Sequence, residues 1–418
     1  MILKIVICGL HYFLCSVYFC NLFNFKVEYF FESHKLLVNA GDDWIVRELY
    51  HEIDWNDRMI GIKGFRGVGK TTFLLNFIRE RYGDSRDCLY VNLNDFYFSK
   101  RRIFSFADEF YKRGGKVLVL EQIHKYPGWA KELRQCYEQL PGLQLIFSSS
   151  PVLRIFEGND DLKDIAKIYH LEGLSFREFL NYRTGSHFGK ISLDDILERH
   201  KAIVPDIIRD VRPLAYFPEY LKNGYYPYFI KNPEFYGESL LRHVNLALEI
   251  DVTYLNQIEL KYLPKLRKLL QLIGAQMPFS PNVSKLSAEI ETSRTTVLNY
   301  LRYLKNAKLI NLLFENGNNG QLQKPEVVYL QNTNLLHIIA PENINNRNLL
   351  TTFFYNQVGY QHSVKSSKFL DFRVNNQYEF IVGGKYTHTE GDHCFAVADM
   401  IENGEGNVIP LWLFGFLY

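Results

Sequence analysis

The stretch "GFRGVGKT" at residues 64–71 has the G-x-x-x-x-G-K-[ST] spacing of a phosphate-binding loop. An apolar, strand-like run, "MIGIKG", precedes it and a helix-like pattern follows it, and the motif requires both. Its glycines let the backbone wrap around phosphates, with amide N–H groups pointing inward at a helix N-terminus. We therefore expect a nucleotide-phosphate site formed by Gly64, Phe65, Arg66, Gly67, Val68, Gly69, Lys70, Thr71 and Thr72.

Side-chain chemistry predicts the individual roles within this loop. Lys70 is expected to reach the β- and γ-phosphates, and the Thr71 hydroxyl to bind Mg²⁺. Arg66 is expected to face solvent. A phosphate loop also needs an acid at the tip of a partner strand, and Glu121, which follows the buried run "KVLVL", is the best candidate. Thr71 and Glu121 therefore form the predicted metal site.

The next strand-like run, "LQLIFSSS", ends in three serines. A polar residue at this place could sense the γ-phosphate, and Ser148 is the candidate. Serines at a strand end also commonly open loops, so both interpretations of Ser148 stay open.

The order of elements indicates how these residues are positioned. Strands alternate with helices up to about residue 170, which is typical of a parallel sheet in an α/β P-loop NTPase domain. A helical segment, a winged helix and a small, strand-rich α+β part follow. The predicted divisions are 1–41, a hydrophobic extension; 42–170, the ATPase-like domain; 171–275, the helical segment; 276–340, the winged helix; and 341–418, the C-terminal part.

The chain from about residue 45 to its end resembles prokaryotic AAA+-type ATP-binding proteins that carry a C-terminal domain of unknown function with a nuclease-like fold. The resemblance rests on an ordered set of segments, among them "EIDWNDRMIGIKGFRGVGKTT", "HKYPGWAKEL", "HLEGLSFREFLNY", "YLKNGYYPYF" and "IPLWLFGFLY". Only the phosphate loop is specific by itself. The resemblance implies ATP and Mg²⁺ as ligands.

Three departures from the family pattern bear on catalysis. Relatives typically have Asp-Glu where this chain has Glu121 and Gln122. The serine strand usually reads Thr-Gly-Ser-Ser. Arginine is usual at positions that match Asp164 and Ile165.

The Gln122 departure predicts slow chemistry, because a neutral amide lacks the basicity of the glutamate that activates water. Glu121 still carries a carboxylate for the metal, but alternation along a strand should turn it away from the place of Gln122. His124 is expected to cap the following loop. We therefore expect an ATP-binding protein with weak or absent hydrolysis, in which nucleotide acts mainly as a conformational ligand. The alternatives are an ATP-regulated DNA-binding protein or DNA nuclease, and a non-catalytic adaptor.

A helix-turn-helix pattern lies between residues 280 and 313, with a second helix from about Arg294. If this pattern reads DNA, Arg294, Thr295 and Asn299 would face it, with Arg302 nearby. The same module can instead bind a protein partner, and the sequence favours neither use.

The segment "FLDFRVNNQYEFIVGGKYTH" resembles the strand-turn-strand core of restriction-type nucleases, which need two acids and a lysine around Mg²⁺. Asp371 and Lys385 are the candidates. Related chains tend to have glutamate where this one has Ile381, and Glu379 comes two residues too early. We therefore expect an inactive relic in residues 341–418.

Composition sets only loose limits. The net charge of +2 gives no global argument for a polyanionic partner. The six cysteines form no CxxC pair, which suits a reducing compartment and favours a cytoplasmic protein. Residues 5–25 are uncharged and long enough to span a bilayer, so a membrane anchor is the alternative to a non-native leader.

Overall fold

The structure is a computed structural model that describes residues 27–40, 45–152, 162–315, 322–383, 391 and 393–418. Its first sheet has five parallel strands in the spatial order β2-β3-β4-β1-β5. The strands are β1 (Met59–Lys63), β2 (Cys88–Asn92), β3 (Val117–Glu121), β4 (Gln144–Ser149) and β5 (Lys167–His170). The expected α/β domain with a parallel sheet is confirmed. Since parallel strands share one carboxyl edge, the ends of β1, β3 and β4 meet there.

Helices cover both faces of this sheet, because β1 and β3 carry buried apolar residues on both sides. They are α1 (27–39), α2 (Leu49–Glu52), α3 (Lys70–Arg81), α4 (Ile103–Lys112) and α5 (Trp129–Gln139). Short 3₁₀ turns lie at Phe96–Ser99 and Ile123–Lys125.

Helix α1 packs on the sheet, although the sequence assigned it to the hydrophobic extension. Val27 and Phe30 are buried in the same apolar cluster as Phe106. The Nδ1 atom of His34 accepts a hydrogen bond from the backbone N–H of Tyr90 at 3.0 Å, on edge strand β2. The extension predicted at 1–41 therefore contains a helix that covers the sheet. Among the described residues no helix has the length and apolarity to cross a membrane, and the run 5–25 lies outside them.

A helical segment follows the sheet, as the periodicity predicts. Its helices are α6 (Phe176–Thr184), α7 (Leu193–Asp210), α8 (Pro213–Glu219), α9 (Tyr228–Lys231), α10 (Tyr236–Leu246) and α11 (Leu263–Ala275), with π-helical turns at Tyr220–Gly224 and Ala247–Tyr254 and a 3₁₀ turn at Leu260–Tyr262. Helix α6 begins with a capping box between Ser175 and Glu178. Glu178 also pairs with the buried Arg47, whose guanidinium donates to the Val68 carbonyl of the phosphate loop at 3.1 Å.

The next part contains two short helices and a hairpin. Helices α12 (Val283–Glu289) and α13 (Arg294–Asn306) are followed by the antiparallel pair β6 (Ile310–Leu313) and β7 (Val327–Leu330). The predicted helix pair is therefore present, with the second helix beginning at Arg294.

The C-terminal part has a second sheet in the order β12-β11-β10-β9-β8. Its elements are α14 (Thr333–Ile339), a 3₁₀ turn (Pro341–Asn343), α15 (Asn346–Val358), β8 (Val364–Ser366), β9 (Phe372–Val374), β10 (Tyr378–Val382), β11 (Cys394–Ala398), β12 (Val408–Pro410) and a buried 3₁₀ segment (Leu411–Phe416). One apolar core joins Ile60 of the first sheet, Tyr226 of the helical segment and Phe380 of the second sheet. The parts of the chain therefore pack as one body.

Candidate functional site

The phosphate loop has the conformation that its glycines permit. Gly67 and Gly69 have φ values of 86° and 96°, which other residues rarely adopt. Helix α3 begins at Lys70 directly after the loop, so its first backbone N–H groups point toward the loop. The strand-loop-helix context predicted from the sequence is confirmed.

Lys70 folds back onto the loop. Its ammonium group donates to the carbonyl oxygens of Gly64 at 2.7 Å and Phe65 at 2.8 Å. Burial lowers the pKa of Lys70 to about 8, and the carboxylates of Asp251 and Glu121 oppose this shift. Anionic phosphates in the cavity would restore the preference for the charged form.

Glu121 ends β3 as a buried carboxylate with neutral partners. The hydroxyls of Thr71 and Tyr90 donate to its two oxygens, and the Asn92 amide donates at 3.4 Å. No direct ion pair of Glu121 is found among the described residues. The two predicted metal ligands, Thr71 and Glu121, are therefore adjacent, and the carboxylate charge is not balanced by a contacting cation.

Glu121 and Gln122 line the same cavity. The prediction that strand alternation turns them apart is wrong, because Gln122 lies beyond the strand and has a left-handed backbone with φ of 59°. Glu121 is nevertheless engaged by Thr71 and Tyr90. The residue that directly follows β3 at the cavity, Gln122, therefore carries a neutral amide and not a carboxylate.

The end of β4 supplies hydroxyl groups beside this amide. The Ser148 hydroxyl accepts the backbone N–H of Gln122 at 3.2 Å and keeps its own proton for donation. His124 accepts the backbone N–H of Ser150 at 3.3 Å. It also lines the cavity, which gives it a place in the site beyond the loop-capping role expected from the sequence.

Arg66 does not face solvent, so that expectation is wrong. Its guanidinium pairs with Asp251 through two hydrogen bonds, at 2.9 and 3.2 Å. The Ser150 hydroxyl donates to the same carboxylate at 2.6 Å, and Asp251 is fully buried. Asp251 is 185 residues from Arg66 in the chain, so no local sequence pattern predicts this contact.

A cavity of about 460 Å³ lies between the phosphate loop and the helical segment. Its lining includes apolar side chains, among them Ile45, Leu174 and Ile230, and the cations Arg66 and Lys70. From the helical segment come Pro227, Tyr228, Ile230, Lys231, His243 and Leu246. Sequence reasoning missed these residues; the only signal was the aromatic run "YLKNGYYPYF".

Tyr228 packs directly against the phosphate loop. A Cβ atom on Gly67 would lie 1.3 Å from the Tyr228 hydroxyl oxygen, so only glycine fits there. The Tyr228 ring stacks on His243 at 5.2 Å between centroids. The helical segment is thus part of the wall of this cavity.

The residues fit a magnesium nucleotide. The cavity combines an apolar part for a base with cations, backbone N–H groups and a helix N-terminus for phosphates. Glu121 and the Thr71 hydroxyl are oxygen ligands of the type that Mg²⁺ prefers. Asp164 and Ile165 do not line this cavity; Asp164 is exposed and pairs with Arg134.

The predicted recognition helix presents a polar surface. Arg294, Thr295 and Arg302 of α13 are exposed, and Asn299 is half-buried beside Arg302. On its other face Val297, Leu301 and Leu304 are buried, and Leu298 is only partly buried. A groove of about 520 Å³ lies between the first turn of this helix and residues 280–284, with Arg294 and Lys324 among its lining residues.

The candidate nuclease residues form no open acidic cluster in the described part of the chain. Asp371 accepts the Val382 backbone N–H at 2.7 Å and forms an ion pair with Arg347. Burial raises the pKa of Asp371 above its usual range, while Val382 and Arg347 oppose that shift. Glu379 pairs with Arg373, and Lys385 lies outside the described residues. Across the ranges that the structure describes, no group of three acids, histidines or cysteines could hold a metal ion.

Two parts of the chain match known protein families. Residues 56–180 match a family described as an AAA domain, and residues 214–345 match a domain of unknown function, DUF8612. The first match makes this part of the chain an AAA-type P-loop NTPase domain. The second covers most of the helical segment and the helix pair and ends before the second sheet. No curated protein matches significantly.

The solved structures that match the chain share little sequence with it. Aeropyrum pernix ORC1 in complex with DNA is 12% identical, covering 74% of this chain and 96% of that one at a TM-score of 0.30. A Thermotoga maritima RuvB variant is 13% identical, with coverages of 68% and 89% and a TM-score of 0.26. AMPPCP-bound DnaA from Aquifex aeolicus is 15% identical, with coverages of 60% and 82% and a TM-score of 0.23. These TM-scores lie well below those of closely superposable structures.

Proposed function

From the AAA-type P-loop NTPase domain at residues 56–180, we propose that the protein binds ATP with Mg²⁺ and hydrolyses it slowly or not at all. Bound nucleotide would act mainly as a ligand that fixes the domain against the helical segment. The observation that carries this proposal is the cavity itself, because both parts of the chain build its wall.

Contacts across the cavity supply a physical route for this coupling. Asp251 of the helical segment holds Arg66 of the phosphate loop and Ser150 at the end of β4. A triphosphate would add several negative charges beside this carboxylate and compete for Arg66. The protein could then have Arg66 paired either with Asp251 or with the phosphates. The relative energies of these two arrangements would depend on which nucleotide is bound.

A second route leads to the hairpin. Tyr226 stacks on Tyr228 with a centroid distance of 5.7 Å, and its hydroxyl accepts a hydrogen bond from the Asn332 amide at 3.0 Å. Asn334 accepts the Tyr225 backbone N–H at 2.8 Å. Buried hydrogen-bonded groups of this kind resist small displacements. A shift of the phosphate loop would therefore also displace Asn332, two residues beyond β7.

Slow hydrolysis follows from the group at the strand end. A positioned base contributes about 10²–10⁴ to a rate, and the Gln122 amide cannot take up the proton. Glu121 would hold Mg²⁺ together with Thr71, and the metal would neutralise charge on the phosphates. Lys70 and the loop N–H groups would bind and orient the phosphates.

Calorimetric titration with ATP, with and without Mg²⁺, tests the binding half of the proposal. We expect one site per chain and tighter binding with Mg²⁺. Lack of binding under both conditions would contradict the proposal and favour the adaptor alternative.

A second candidate function is DNA binding through a winged helix formed by α12, α13 and the hairpin. The exposed side chains of Arg294 and Arg302 favour it. Affinity for duplex DNA should then fall with salt, and the double change Arg294→Ala, Arg302→Ala should weaken it further and reduce the salt slope by about 2. Exchange of the exposed Lys131 and Lys201, which lie outside the cavity at the phosphate loop, for alanine is the matched control. Unchanged binding in the double variant would point to a protein partner.

For the C-terminal sheet we propose an inactive relic of a nuclease-like fold. The Asp371 carboxylate is already neutralised by Arg347, and Glu379 by Arg373. Magnesium-dependent DNA cleavage that is abolished by Asp371→Ala would contradict this assignment.

A further inference from the structure

His124 lies in the 3₁₀ turn Ile123–Lys125, directly after the strand that carries Glu121. Its ring lines the cavity that also contains Lys70 and Ser148. The ring is joined to the loop through Ser150, whose backbone N–H it accepts and whose hydroxyl binds Asp251, the partner of Arg66. The ring therefore lies beside the ends of β3 and β4.

The hydrogen bonding of His124 fixes its tautomer. Nδ1 accepts the backbone N–H of Ser150, so the ring proton of the neutral form is on Nε2. This Nε2–H group is buried and has no hydrogen-bond partner among the described residues. Burial also lowers the pKa of His124 to about 4, so the ring is neutral at pH 7. His124 is consequently a donor with an unused proton, and its acceptor atom is already engaged.

A buried donor without a partner is unfavourable, and native structures usually provide one. The nearby cation Arg66 is held by Asp251, and Lys70 is held by two loop carbonyls. Because Nε2 has almost no accessible surface in the nucleotide-free protein, the ring would rotate slightly toward the cavity that it lines, and an oxygen of a terminal phosphate would then give the donor its missing acceptor. Because the ring is neutral, this contact needs no change of its protonation.

We propose that the Nε2–H group of His124 donates a hydrogen bond to the terminal phosphate of a bound nucleoside triphosphate, and thereby distinguishes triphosphate from diphosphate. The proposal rests on the nucleotide binding proposed above. It assigns His124 to recognition, not to proton abstraction, because its only free nitrogen carries the proton. Ser148, Gln122 and His124 would then surround the same end of the nucleotide.

Two substitutions test the two ring nitrogens of His124 separately. His124→Asn keeps a polar atom near the Nδ1 position, beside Ser150, and removes the distal donor. His124→Gln retains an amide donor near the Nε2 position. Each variant and the unmodified protein are titrated with a non-hydrolysable ATP analogue and with ADP, both with Mg²⁺.

We expect the unmodified protein to bind the triphosphate analogue more tightly than ADP. His124→Asn should weaken analogue binding by about 10- to 100-fold, the range for a hydrogen bond to a charged acceptor, and ADP binding by less than about threefold. His124→Gln should recover most of the analogue affinity. An equal loss for both nucleotides, or no loss for either, would overturn the proposal.

The outcome is distinct from failure of the proposed function, in which the unmodified protein binds neither nucleotide. If His124→Asn does not fold, the unmodified protein still decides the question by ¹⁵N–¹H spectra of its histidine rings, with the His124 signal assigned by its loss in His124→Gln. The Nε2-bound proton should shift with the triphosphate analogue and not with ADP. A signal that responds equally to both nucleotides, or to neither, would overturn the proposal.

Discussion

The first and second sheets each place an acid at a strand end, buried in the case of Glu121 and half-buried in the case of Asp371, and the two acids have opposite surroundings. Glu121 is bound by two hydroxyls and an amide, with no direct ion pair among the described residues. Asp371 is bound by a backbone N–H and by the guanidinium of Arg347. Only the first carboxylate keeps a charge that a metal ion would balance.

This contrast explains why similar sequence signals support different conclusions. Glu121 was a predicted metal ligand because it follows a buried apolar run, and Asp371 because its segment resembles a nuclease core. The neighbours that decide the matter come from distant parts of the chain: Tyr90 for Glu121, and Arg347 for Asp371. A carboxylate whose partners are neutral is prepared for a cation, whereas one that is already paired with arginine is structural.

The largest expected effect is on ATP binding at the phosphate loop, next to Glu121. Lys70→Ala should weaken ATP binding by at least about 100-fold, because it removes a buried charge from the phosphates. Lys167→Ala, on exposed strand β5 of the same sheet, is the control and should change ATP affinity little. Equal ATP affinity in Lys70→Ala and the unmodified protein would refute the phosphate-loop assignment.

The next effect concerns turnover at the Glu121 end. Gln122→Glu should raise the ATP hydrolysis rate by about 100-fold, the lower range for a positioned base. The double change Glu121→Asp, Gln122→Glu also restores the family pattern at the metal and is the stricter comparison. Steady-state phosphate release measures both. No gain in the double variant, with ATP binding intact, would place the defect elsewhere, as at Asp164 and Ile165.

The pH dependence of ATP binding gives a smaller effect. The pKa of Lys70 in the nucleotide-free protein is about 8, so the group is charged below that pH and loses its proton above it. Phosphate prefers the charged form, so binding above pH 8 must take up a proton. Affinity should be flat below pH 8 and fall by up to about tenfold per pH unit above it. Lys70→Ala should lack this fall; the same fall in that variant would contradict the assignment.

The smallest effect compares the two acids directly. Asp371→Asn should lower the free energy of unfolding by about 1 kcal/mol, because it leaves Arg347 without its ion-pair partner. Glu121→Gln should lower stability less, because Glu121 has no direct ion pair among the described residues and Lys70 loses only a nearby charge. It should also remove the Mg²⁺ dependence of ATP binding. Urea unfolding and calorimetry measure these quantities. The reverse pattern would show that the surroundings of the two acids were misassigned.

Local patterns predicted much of the fold and part of the site. The phosphate loop, helix α13 and the individual strands of the first sheet each depend on residues close together in the chain, and the alternation of strands with helices indicated that the strands pair in parallel. The serine strand and Glu121 were also located correctly relative to the loop. These features follow from periodicity and glycine spacing, which a single sequence carries.

Contacts between distant residues were not predictable in the same way. The pairing of Arg66 with Asp251 depends on how the π-helical turn at Ala247–Tyr254 folds over the loop. Strand alternation predicted that Glu121 and Gln122 face opposite sides, and this did not hold because Gln122 has a left-handed backbone. The packing of helix α1 on the sheet was not predicted, because its partners Phe106 and Tyr90 lie more than 50 residues away in the chain. Tertiary packing decided each of these cases.

The most direct test of the account is the fate of ATP on the unmodified protein. A stoichiometric complex with ATP and Mg²⁺ would be held at pH 7 and sampled over hours for bound ATP and ADP. Because the Gln122 amide cannot activate water, the account predicts that bound ATP persists, with little ADP formed over that time. Conversion to ADP within seconds would contradict it, and would mean that another group in the cavity activates the water.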